Sequence, residues 1–206
     1  MNAVAAMTFV RSTGNMVEQA RLRYVLEGSA PPPDMQAQAV ADQREDGGWS
    51  PFWAPNCSSL DATCFRLAQA EQMGLTAADA AVQRALALLA RRQRQDGSWE
   101  EDAALAGQAP RWVAPGELAA RLYLSANCGY WLATWADASE RASERASEHA
   151  RRAANYLLGY LEHDGDMPGF RHTVWLSGDL WYRLGRRAEA ERLQRVGAAP
   201  CRPTRE

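Results

Sequence analysis

Lysine and isoleucine are missing from this 206-residue chain, so all 23 of its basic side chains are arginine. Both gaps match the codon preference of a GC-rich genome and carry no chemistry. A charge excess of one sign is also lacking: 23 basic against 25 acidic residues leave a formal charge of −2. That excludes a broad basic field for nucleic acid or anionic lipid. No apolar run approaches 18 residues, so no transmembrane span is expected. The opening MNAVAAMTFVR has neither the basic start nor the long apolar stretch of a secretory leader. The four cysteines, Cys57, Cys64, Cys128 and Cys201, form no C-x-x-C pair. They read as reduced thiols in a cytoplasmic protein. Valines are few and scattered, which leaves little to build strands from.

What is present favours helix. Ala, Leu, Arg, Gln and Glu dominate, all strong helix formers. Turn residues cut the chain into segments of helical length. The pattern predicts helices near 15–27, 34–44, 58–73, 77–94, 116–137, 139–162, 171–184 and 186–196. Gly28 and Gly74 are expected to end the first and third, and Asp46-Gly47-Gly48 the second. Ser58 and Thr76 are expected as N-caps, because a hydroxyl can accept an orphan backbone N–H. Residues 138–150, ASERASERASEHA, place Glu140, Glu144 and Glu148 at i, i+4 spacing beside a matching basic row. This reads as a solvated helix face, and His149 is assigned to no site. One helical-repeat domain over 1–196 is expected, followed by a mobile tail over 197–206.

An internal repeat organises the chain. Gln43-Arg-Glu-Asp-Gly-Gly-Trp49 recurs as Gln93-Arg-Gln-Asp-Gly-Ser-Trp99, and a degenerate copy runs Leu161-Glu-His-Asp-Gly-Asp-Met167. The same register of helix, Arg84-Ala-Leu-Ala-Leu-Leu and Arg152-Ala-Ala-Asn-Tyr-Leu, precedes the second and third copies. Downstream, 61–74 aligns in pattern with 172–185, both ending in glycine. A two-helix unit recurring about every fifty residues is the mark of a helical-hairpin array. In the motif, Gly permits a sharp left-handed turn, the Gln amide can bond free backbone groups at a neighbouring helix terminus, and Trp offers a flat packing surface. These residues are expected to join one helix pair to the next.

The Q-x-x-D-G-x-W pattern, with its preceding R-A-x-x-x-L helix, resembles the QW repeat of the squalene-hopene cyclase and protein prenyltransferase superfamily. The resemblance covers roughly residues 30–185. It implies an all-α fold, a partial or complete α/α toroid, with 58–73, 116–137 and 171–184 as inner helices and 34–44, 77–94 and 139–162 as outer ones. It also implies an apolar cavity for an isoprenoid or similar hydrophobic molecule. The family's acid motif resembles Ser59-Leu-Asp61-Ala-Thr63-Cys64, which keeps Asp61 and Thr63 but not the flanking carboxylates. Its zinc segments resemble Asn127-Cys128-Gly-Tyr-Trp131 and Phe170-Arg-His172-Thr-Val-Trp175. The position of the family's Asp ligand is Ala126, so no metal and no cofactor are expected.

Asp61 and His172 are therefore the candidate catalytic residues. Trp53, Cys57, Trp112, Asn127, Cys128, Trp131, Trp175 and Asp179 are the candidate cavity residues. The loop 109–116 is a candidate cover for the cavity mouth. The functional readings are a terpene cyclase or prenyl transferase and, as the alternative, a non-catalytic helical-repeat module. The N-terminal helix, through Met16, Ala20 and Tyr24, and the charged helix 186–196, through Leu193 and Val196, are expected to cap the two ends. A monomer is slightly favoured over a homodimer.

Overall fold

The computed structural model describes residues 2–136, 140–162 and 165–197, with side chains throughout except at 140–146 and 194–197. Ala138 and Ser139 of the Ser-Glu repeat, His163 and Asp164 of the third motif, and Cys201 with the rest of the expected mobile tail after Gly197 lie outside the described residues. Those described form nine α-helices: α1 (Ala3–Thr13), α2 (Met16–Glu27), α3 (Pro33–Ala39), α4 (Leu60–Gln72), α5 (Ala80–Arg92), α6 (Leu118–Thr134), α7 (Glu140–Leu158), α8 (Arg171–Arg183) and α9 (Arg187–Gly197). Short 3-10 turns at Ala103–Leu105 and Arg111–Val113 sit between α5 and α6. Among the described residues the only β-like pairing is a bridge between Trp49 and Ser59. None of their helices is long and apolar enough to cross a membrane.

The eight expected helices correspond to α2–α9, and α1 is an addition. Asn2 accepts the Val4 N–H to open α1, and Gly14-Asn15 separates it from α2. Asn15 and Glu18 then form a reciprocal capping box, each bond 2.9 Å. α4, α5 and α6 start two or three residues later than expected, whereas α8 starts where expected and α3 one residue earlier. Ser59, not Ser58, caps α4 by accepting the Ala62 N–H at 3.2 Å, and Ser58 instead donates to Asp46. Asp79 stands at the N-cap position of α5, with its carboxylate accepting both the N–H and hydroxyl of Thr76. The second expected helix ends early, at Ala39, well before the Asp-Gly-Gly turn.

α6 lies at the centre and touches α4, α5, α7 and α8. Contacts run α4–α6–α8 in one row and α5–α7 in a second. Buried residues cover much of α6, as expected for a helix enclosed by neighbours. A Cβ on Gly129 would stand 2.8 Å from Ala153 Cβ and 3.0 Å from Leu180 Cδ2, so this glycine lets α7 and α8 approach together. At one end α2 packs on α4 through buried Ala20, and the Tyr24 ring covers Gly74. Met16, expected in that contact, is exposed. At the other end α9 packs on α8 through buried Ala190 and Leu193.

The three motif copies make one backbone turn. Arg44 N–H donates to Gly48 O and Gly47 N–H to Arg44 O, both 2.9 Å. Arg94, Ser98 and Gly97 repeat this pattern, and so do Glu162, Asp166 and Gly165. The three turn glycines have φ of 93°, 91° and 93°. Each of the first two turns is fastened to the next helix of the α5–α7 row. Gln43 Nε2 donates to Gly47 O and to Ala81 O of α5, at 2.9 and 2.8 Å. Gln93 Nε2 donates to Gly97 O and to His149 O of α7, at 3.0 and 2.9 Å. The amides thus reach carbonyls of the neighbouring helix, at its first turn in α5 and in its body in α7. Arg152 donates to the carbonyls of Arg94 and Gln95, both 2.9 Å, and Arg192 closes the third turn on Glu162 O at 2.8 Å.

The motif tryptophans bond on both sides. Trp49 Nε1 donates to Ala41 O and Trp99 Nε1 to Leu89 O, while their backbone N–H groups reach the hydroxyls of Thr63 on α4 and Ser125 on α6. Trp99 is wholly buried. Trp99→Ala is therefore expected to cost about 3–5 kcal/mol in a denaturant melt. Trp175→Ala, at a side chain 55% exposed, should melt close to the parent.

Candidate functional site

A cavity of about 1270 Å³ lies against the α4–α6–α8 row. Its walls follow helical periodicity. α4 supplies Asp61, Ala62, Cys64, Phe65, Arg66, Ala68 and Gln69; α6 supplies Tyr123, Asn127 and Trp131; α8 supplies His172, Trp175, Leu176 and Asp179. Spacings of three and four residues put the α6 and α8 sets each on one helix face, while the α4 set spans about half of its helix. The segment 49–55, with Phe52 and Trp53, completes the enclosure. Phe52, Phe65 and Trp175 are exposed aromatics around the opening. Exposed apolar rings grouped at a concave surface mark a binding site more often than scattered ones do.

Seven of the ten candidate residues line this one cavity: Asp61, His172, Trp53, Asn127, Trp131, Trp175 and Asp179. Three do not. Cys57 lies in a separate surface groove with Asp46 and Asp102. Cys128 is fully buried, its sulfur 3.8 Å from that of Cys64, because α6 turns this residue to α4 and away from the cavity. Burial, then the neighbouring Cys128 thiol, pushes the Cys64 thiol well above the usual range. Trp112 stands beyond the lining, but its Nε1–H reaches Asp61 Oδ2 at 3.3 Å, so the 109–116 loop is tied to the cavity wall.

Asp61 is the best-held polar group of the wall. Tyr123 Oη donates to its Oδ1 at 2.8 Å, and Asn127 Nδ2 donates to Tyr123 Oη at 3.2 Å. Burial, then the Asp61 charge beside it, raises the Tyr123 phenol above its ordinary value, so it remains a donor. His172 meets Trp175 edge-on, ring centroids 5.3 Å apart. The equivalence of 61–74 with 172–185 has a structural counterpart. Gly74 and Gly185 both take φ 75° after their helices, and Leu75 and Arg186 N–H bond back to Ala70 O and Trp181 O.

Glu101 is a residue that sequence reasoning missed. It is 3% exposed, yet its carboxylate accepts Ser59 Oγ at 2.6 Å and the N–H groups of Leu60 and Asp61 at 3.1 Å each. Those are orphan donors at the α4 N-terminus, where the helix dipole favours an anion. The cap fixes the first turn of α4 and hence Asp61. Its neighbour Glu100 turns the other way, to Arg94, Arg121 and the Gly116 N–H. The pair Glu100-Glu101 after the second motif tryptophan is the only signal for either, and nothing in it points forty residues back.

Cys128 and His172 do not form a metal site. The thiol is sealed in the core against Cys64, whereas the imidazole faces the cavity. Among the described residues no three His, Cys, Asp or Glu side chains are grouped to hold a metal ion. No family model matches the chain, and neither a curated protein nor a solved structure matches it.

Burial raises the Glu101 carboxyl above the usual glutamate value, against the lowering effect of its three donors. A folded value above the unfolded one means stability that is present in acid and lost as the pH rises through the folded value. Glu101→Gln lacks this titration. The parent should therefore gain stability over Glu101→Gln as the pH falls from neutral towards the ordinary glutamate range, measured by urea melts across that interval.

Proposed function

We propose that this chain is a squalene-cyclase-like helical-repeat protein, a partial α/α toroid, whose cavity binds an isoprenoid or similar hydrophobic molecule. The observation that carries the reading is the cavity itself: about 1270 Å³, walled by Trp53, Trp131 and Trp175 and rimmed by exposed Phe52 and Phe65. The α4–α6–α8 row, backed by α5 and α7, supports the toroid-like arrangement of inner and outer helices. Aromatic walls suit an apolar chain and leave few polar groups to desolvate.

Binding without turnover is favoured over cyclisation or prenyl transfer. Asp61 is held as an acceptor, taking a hydrogen bond from Tyr123 on one oxygen and from Trp112 on the other. Ser59 and Ala62 stand where the resembled acid motif has further carboxylates. The cysteine and histidine suited to a thiolate–zinc centre face different surroundings. A monomer with α2 and α9 at its ends is the proposed assembly.

Calorimetric titration with farnesol tests the reading. We expect one saturable site, weakened about tenfold by Phe65→Glu, a loss of about 1.4 kcal/mol. Phe65 is 60% exposed, so the variant should fold as the parent does. Absence of binding, or equal binding by the variant, contradicts the proposal. Cyclised or prenylated products after incubation with polyprenyl substrates would return the chain to the catalytic reading.

A further inference from the structure

We propose that the molecule this cavity takes carries an organic cation, an ammonium-type group on an apolar body, with Asp61 as its counter-ion. The inference rests on the apolar-ligand reading above and adds a head group to it. Its basis is the sidedness of the lining charges. The α6 and α8 walls present the aromatic rings of Tyr123, Trp131 and Trp175 and the acceptors of Asn127 and Asp179, with no arginine among them. Asp61 adds a carboxylate opposite, on α4.

Two arginines also line the cavity, and both are engaged by neutral groups of the chain. Arg44, in the first motif turn, donates to Asn56 O at 3.0 Å and Ser50 Oγ at 3.4 Å. Arg66, on α4 with Asp61, donates to Ala39 O at 3.3 Å and Gln69 Oε1 at 3.1 Å. The lining carboxylates Asp42, Asp61 and Asp179 outnumber these two arginines, and Asp179 stands on a wall without one. A diphosphate or carboxylate head is repelled there, and a positive head meets attraction from Asp61 and Asp179.

Asp61 keeps the capacity to receive one. A carboxylate has about four lone-pair sites, and its bonds from Tyr123 and Trp112 use one on each oxygen. Those bonds fix its direction without filling it. Ring faces of Trp and Tyr attract ammonium groups, most strongly where water is excluded. A carboxylate held among such rings recognises a cation that is itself apolar at its surface.

The test uses the intact chain and three ten-carbon probes, each below its aggregation concentration: decyltrimethylammonium, decanol and decyl phosphate. Affinities are read by calorimetry. We expect the ammonium to bind about tenfold tighter than the alcohol, and the phosphate weaker than the alcohol. Asp61→Asn should bring the ammonium down to the alcohol and leave the alcohol unchanged, which also reports that the variant is folded. Equal affinity for ammonium and alcohol overturns the inference, as does a preference for phosphate or an ammonium preference that survives Asp61→Asn. In the first case the apolar-ligand reading stands alone. Failure of all three probes to bind overturns both.

Discussion

Two glycines with no room for a side chain hold this array together. A Cβ on Gly47 would lie 2.4 Å from Arg84 O of α5, and one on Gly97 would lie 2.6 Å from Arg152 O of α7. Each turn therefore rests directly on the backbone of the next helix of the α5–α7 row, in a left-handed conformation that other residues rarely adopt. The glutamine amide and the tryptophan indole then bond from the two sides of the same turn. Because the contact is backbone against backbone, it fixes the spacing between consecutive repeats more tightly than side-chain packing would.

That spacing positions the cavity. With α5 and α7 anchored by the turns, α4, α6 and α8 all line one space. Asp61 is then set by two long-range devices, the Glu101 cap behind the first turn of α4 and the Tyr123 hydroxyl across from α6. A buried carboxylate that is itself costly to bury is retained at the helix end, where three donors need an acceptor. Scaffold and site are linked here, since Glu101 follows the second motif tryptophan by two residues.

The repeat was legible because its chemistry is local: Asp-Gly turns and helix periods can be read within seven to fifteen residues. Five of the seven cavity residues, Asn127 and Trp131 on α6 and His172, Trp175 and Asp179 on α8, fall at the three- and four-residue spacings that mark helix faces. Cys57 and Cys128 misled because a cysteine beside a motif gives no direction, and one position along a helix turns the side chain by about 100°. Glu101 depends on a partner forty residues away, so no local pattern announces it. Tyr123 was readable, since it precedes Asn127 by four and Trp131 by eight. α1 was missed because Arg11 is its one charged side chain, so no solvated face marks it as a helix.

The central claim is that apolar ligand sits against the cavity tryptophans Trp53, Trp131 and Trp175. Contact quenching of tryptophan fluorescence by a brominated ten-carbon alcohol tests it most directly. The account predicts saturable quenching in the parent, strongly reduced in a Trp53→Phe, Trp131→Phe, Trp175→Phe variant, whose remaining cavity tryptophan is the buried Trp49. Quenching that persists undiminished in that variant, or none in the parent, would contradict it.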